Sequence, residues 1–104
     1  NDDVIIPAFI GKRILVVGGD FNHTAIQQGL TNMGLNVTVF SGYNNRLSHS
    51  AISKFDAIVV IWSHVSHAVA GVAVNLALEQ QVPAIFARTP SVQSVSEAVL
   101  DILQ

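Results

Sequence analysis

From Arg13 onward the chain alternates short apolar runs with longer stretches of helical period, and this alternation narrows what it can fold into more than any other feature. Four runs read as strands: "RILVVG" (13–18), "NVTVF" (36–40), "DAIVVIW" (56–62) and "PAIFA" (83–87). The first and third are apolar almost throughout, as strands covered on both faces must be, so they belong at the centre of a parallel sheet. Right-handed crossovers leave few topologies for four such strands, and order 2-1-3-4 is the natural one. The expected architecture is α/β: a small three-layer sandwich around a four-stranded parallel sheet, flavodoxin-like or Rossmann-like.

The helical stretches follow the same logic. In "HTAIQQGLTNMG", Ile26, Leu30 and Met33 share a face and Gly34 supplies the stop. In "SHVSHAVAGVAVNLALEQQ" the inward stripe reads as Val69, Val72, Ala73 and Leu76. A second stripe, His67, Gly71, Val74 and Leu78, makes this helix apolar around most of its circumference, and that face is expected to be a homodimer contact. The alternative is cover from a neighbouring helix or from the N-terminal arm. After Pro90, Ser94 and Glu97 form a capping-box pattern ahead of Val95, Val99, Ile102 and Leu103. "SGYNNRLSHSAISKF" is polar and turn-rich, with at most a short helix from about Ser48.

Composition bounds the function. The 104 residues suffice for one core. Residues 13–104 read as a single domain and 1–12 as an arm or linker, and a start at Asn1 rather than Met suits a C-terminal domain cut from a longer protein. Half the residues are hydrophobic and only 12% charged, which again points to a partner subunit over part of the surface. Five Lys plus Arg against seven Asp plus Glu, with no basic run, lack the footprint of a nucleic-acid binder. The apolar stretch 68–78 is interrupted by Asn75 and falls short of the roughly 20 residues of a membrane span. Absence of Cys removes disulfides, thiolate catalysis and Cys-based metal sites and suits a cytoplasmic setting.

In a sheet of this order, ligands bind beyond the carboxyl ends of the strands where the order reverses, here between strands one and three. Strand one ends in Gly18, Gly19 and Asp20, with His23 opening the next helix; strand three ends in Trp62, Ser63, His64, Ser66 and His67; strand four ends in Arg88, Thr89 and Ser91. Such a set could bind an anion, with the glycines bending the backbone, helix N–H groups pointing outward and Arg88 offering a fork of donors. Asp20, His23, His64 and His67 are also metal-ligand types, but they form no H-E-x-x-H. NAD binding is disfavoured because G-x-G-x-x-G is missing and strand two ends in Phe40 and Ser41 rather than an acid. A P-loop is excluded, and Ser63, Ser66, His64 and His67 lack a G-x-S-x-G elbow. Trp62 could stack on a ligand ring or simply pack at the core rim.

"ILVVGGD", "DAIVVIWSHVSHA" and "VPAIFAR" together resemble the uncharacterised bacterial domain of unknown function 2325, over about Arg13 to Gln104. The resemblance implies that Gly18, Gly19, His67 and Arg88 are characteristic residues, with Asp20 a common companion. It implies no activity, cofactor or catalytic residue. The expectation is a cytoplasmic homodimeric module holding a small anionic ligand through Gly18, Gly19, Asp20, His23, Ser63, His64, Ser66, His67 and Arg88, in a regulatory role. The alternatives are a metal-assisted or His-mediated hydrolase or phosphoryl-transfer enzyme, and a purely structural dimerisation domain.

Overall fold

The computed structural model describes residues 5–19, 22–40, 49–64 and 67–103, in the case of 49, 50, 64 and 67 for the backbone alone. Strands β1 (Arg13–Val17), β2 (Asn36–Phe40), β3 (Ala57–Ile61) and β4 (Ala84–Ala87) alternate with helices α1 (His23–Asn32), α2 (His49–Ile52), α3 (His67–Glu79) and α4 (Val92–Leu103). The strands form one sheet in the order β2-β1-β3-β4, with every pairing parallel. This is the flavodoxin-like, Rossmann-like sandwich expected from the alternation. No helix among the described residues is long and apolar enough to cross a membrane.

The unbroken apolar runs of β1 and β3 are explained by the pleat, which sends successive side chains to opposite faces. Ile14, Val16, Ala57, Val59 and Ile61 enter a core with Ile26 and Leu30 of α1 and Val95 and Val99 of α4. Leu15, Val17, Ile58 and Val60 enter a second core with Ile52 of α2 and Ala70, Ala73, Leu76 and Ala77 of α3. Among the described residues no polar or charged side chain is buried.

Two expected features are corrected. Val72 does not face inward but is 48% exposed, and Ala70 and Ala77 take its place beside Ala73 and Leu76. The inward face of α3 is thus mostly alanine, and a helix apolar around most of its girth offers no periodicity to say which face that is. Nor does Ser94 begin the last helix: α4 starts at Val92, and the Ser94 N–H donates to the Ser91 hydroxyl at 3.1 Å. Ser91 is therefore the N-cap, with its bond to the third helical position. The Glu97 carboxylate accepts from Gln93 Nε2 at 3.3 Å instead of closing a capping box.

Helix α1 ends in a Schellman motif, with Leu35 N–H donating to the Leu30 carbonyl and Gly34 N–H to Thr31, and Gly34 at φ 111°. Helix α3 ends identically through Val82 to Ala77 and Gln81 to Leu78, but its left-handed residue is Gln81 at φ 57°. Residues 5–12, read from sequence as part of an arm, pack on the α1–α4 side. A 3-10 turn at Pro7–Phe9 buries Phe9 completely, and the Ile6 N–H donates to the Met33 carbonyl at 2.9 Å. Phe9→Ala is expected to lower unfolding free energy by about 3–4 kcal/mol in denaturant titration, as loss of a buried aromatic does; a loss below about 1 kcal/mol would show that the core closes without it.

Candidate functional site

At the carboxyl end of β1 the chain turns through Gly18 and Gly19, both buried and both in the left-handed region, at φ 94° and 69°. A Cβ added to Gly19 would lie 2.7 Å from Ile61 Cδ1 and 3.2 Å from Pro90 Cβ, so the bend is wedged between the end of β3 and the loop after β4. Two side chains hold the wedge. His23, the first residue of α1, donates from ring Nε2 to the Gly18 carbonyl at 2.7 Å; the carbonyl can only accept, so this nitrogen carries the proton. Asn22, at the N-cap position, does not cap its own helix but donates from Nδ2 to the Pro90 carbonyl.

Thr89 and Ser91 in the loop after β4 bond to each other and to the start of α4. Thr89 N–H donates to the Ser94 hydroxyl at 3.2 Å, and the Thr89 and Ser91 hydroxyls lie 3.1 Å apart. The hydroxyls of Thr89 and Ser91 therefore serve to shape the start of α4.

Arg88 is different. Its side chain is exposed, and among the described residues no carboxylate or hydrogen-bond acceptor meets it. With Trp62, Phe86 and Ala87 it lines a groove of about 430 Å³ beyond the carboxyl ends of β3 and β4. The Trp62 and Phe86 rings stand edge to face, centroids 5.2 Å apart at 79°. Phe86 points away from the α1–α4 core because its strand neighbours Ile85 and Ala87 are turned toward it.

The residues singled out from sequence thus divide across β3. Gly18, Gly19 and His23 build the closed turn on the β1 side, and Arg88 opens on the groove on the β4 side; strands about 4.8 Å apart put β1 and β4 roughly 10 Å from each other. Ser63 is exposed in the 3-10 turn Trp62–His64 that follows β3. The backbone of His64 lies in that turn and His67 opens α3. Asp20 and Ser66 lie outside the described residues. No group of three His, Cys, Asp or Glu able to hold a metal occurs among the described residues, which include neither Asp20 nor the His64 and His67 side chains. Phe86 and Ala87 are the groove residues that sequence reasoning missed, and Phe86 is the aromatic one. Its signal was the alternation in "PAIFA", which puts Phe86 opposite Ile85 and Ala87 on an edge strand.

The family model described as "Uncharacterized protein conserved in bacteria (DUF2325)" matches residues 13–102. The chain belongs to this family. No curated protein and no solved structure matches it. The DUF2325 match runs from the first residue of β1 into the last turn of α4, so it takes in both the glycine turn and the groove and leaves out the buried Phe9.

Gly19→Ala is expected to cost about 2–4 kcal/mol in denaturant unfolding, from a left-handed non-glycine residue and from crowding of Ile61 and Pro90. An unchanged midpoint would show that the wedge relaxes freely.

Proposed function

We propose that this domain is a regulatory binding module for a small anionic ligand, held at the carboxyl edge of the sheet, and that it works as a homodimer. The observation that carries the ligand reading is Arg88: an exposed guanidinium with no partner among the described residues, at the wall of a groove whose volume falls in the range of small-molecule sites. A guanidinium offers a planar fork of donors that matches a phosphate or carboxylate. Ser63, next to Trp62 in the chain and exposed, adds a hydroxyl at that end of β3. The buried Gly18–Gly19 turn, with His23, acts as the rigid frame that fixes where the loop bearing Arg88 leaves the sheet. Asp20, His64, Ser66 and His67 are proposed as further hydrogen-bonding groups on the grounds of their place in the sequence alone.

The chain has a single Trp, so the indole N–H resonance of Trp62 reports on the groove directly. Titration with inorganic phosphate and small carboxylates should shift that resonance, and Arg88→Ala should weaken binding about 10- to 100-fold, the worth of one or two charge-assisted bonds, with no change in unfolding midpoint. Equal affinity in the variant would remove Arg88 from the site.

Self-association is supported by a separate observation. On α3, Leu78 is 72% exposed, Gly71 is exposed and Val74 half-buried, while the described arm residues pack on the other side of the sheet and leave this face open. Leu78→Glu should convert dimer to monomer in sedimentation analysis while leaving the subunit folded; a dimer that persists would rule out this face.

A further inference from the structure

The groove restricts the class of ligand further, on the footing that Arg88 holds an anion there. We infer that the ligand is a planar aromatic ring carrying a phosphate or carboxylate, with the ring against Trp62 and Phe86 and the anionic group on Arg88. Three observations converge. Trp62 and Phe86 leave 55% and 49% of their surfaces open, whereas the core residue Phe9 leaves none. Their edge-to-face setting at 79° makes a corner in which a third flat ring can lie on one face and meet the other ring edge-on, both favourable arrangements for aromatic pairs. Arg88 follows Phe86 by two positions, just past the end of β4, and both line the groove, so their backbone positions are about 6.6 Å apart. That spacing suits a ring and an anionic group attached at its rim.

Neither half of such a ligand uses the groove alone. A bare inorganic anion would pair with Arg88 and leave the exposed part of both rings uncovered; an uncharged ring would cover the aromatics and leave the guanidinium unpaired. A groove of about 430 Å³ admits one or two fused rings with a substituent.

The test follows the Trp62 indole resonance of the whole chain during titration with phenyl phosphate, adenosine monophosphate, benzoate, inorganic phosphate and phenol. At least one aromatic anion should bind about tenfold or more tightly than both inorganic phosphate and phenol, as expected of a stacked ring, with an upfield ring-current shift that inorganic phosphate cannot produce. Preference between the phosphate esters and benzoate identifies the anion. Phe86→Leu should abolish the advantage of phenyl phosphate over inorganic phosphate and leave phosphate binding intact, while Arg88→Gln should abolish its advantage over phenol. Equal binding of phenyl phosphate and inorganic phosphate would overturn the ring inference and leave the Arg88 reading standing. No response to any compound, or responses untouched by Arg88→Gln, would overturn both. A Trp62 resonance that moves with protein concentration but not with added compound would assign the groove to a second copy of the chain and overturn the inference.

Discussion

The bend at Gly18 and Gly19 is the constraint on which the carboxyl edge of the sheet depends. Both residues are buried at positive φ, and the space a side chain would fill at Gly19 is already held by Ile61, Pro90 and Ile26. Three elements distant in sequence are thereby brought to one point: the end of β3, the start of α1 and the loop after β4. The bond from Asn22 to the Pro90 carbonyl closes the arrangement. From there Ser91 caps α4, and α4 approaches α1 so closely that a Cβ on Gly29 would sit 2.6 Å from Val92 Cγ1. Arg88 leaves the sheet two residues before Pro90, so the wedge also fixes the root of the one described side chain that brings positive charge to the groove.

This arrangement explains why part of the protein was legible in its sequence and part was not. Sheet order and strand positions follow from hydrophobic runs that only a doubly covered strand tolerates, and β1 and β3 have them. The glycine pair was legible as a turn, but the reason for it was not. Read alone, it suggests a backbone cradle for an anion, on which the Cβ contacts do not bear; only contacts between residues far apart in sequence reveal that Ile61 and Pro90 fill the Cβ direction of Gly19. The inward face of α3 was illegible for the opposite reason. Where nearly every position is apolar, Val72 and Ala70 are equally good candidates on pattern alone, and it is Ala70 that the fold buries. Likewise Gly34 announces its left-handed turn, whereas Gln81 adopts the same geometry with no compositional sign.

The two sides of the sheet are covered unequally among the described residues. One carries α1, α4 and the turn that buries Phe9; the other carries α3 and the single turn of α2. Edge strand β4 turns Ile85 and Ala87 to the well-covered side and Phe86 to the other. In register, Phe86 pairs with Val60, whose side chain lies in the α3 core, so the exposed ring continues that core outward past its covering helix. Trp62, one residue beyond β3, extends it in the same way and meets Phe86 edge to face.

Among the described residues the groove therefore lies where the cover of the sheet stops, outside the core. A second hydrophobic layer of full width would bury Phe86 and leave Arg88 at a polar rim with no concavity beside it. Among the described residues that layer consists of α3 and the single turn of α2, and apolar surface remains both at the groove and on the outward face of α3. Exposed apolar surface costs solubility unless something covers it. Two exposed surfaces of different chemistry result: the α3 face that includes Gly71 and Leu78, which we propose for a second subunit, and a small aromatic corner with an adjoining guanidinium, which we propose for a flat anion. Val60, the register partner of Phe86, lies in the core that α3 covers, so both surfaces border the same layer.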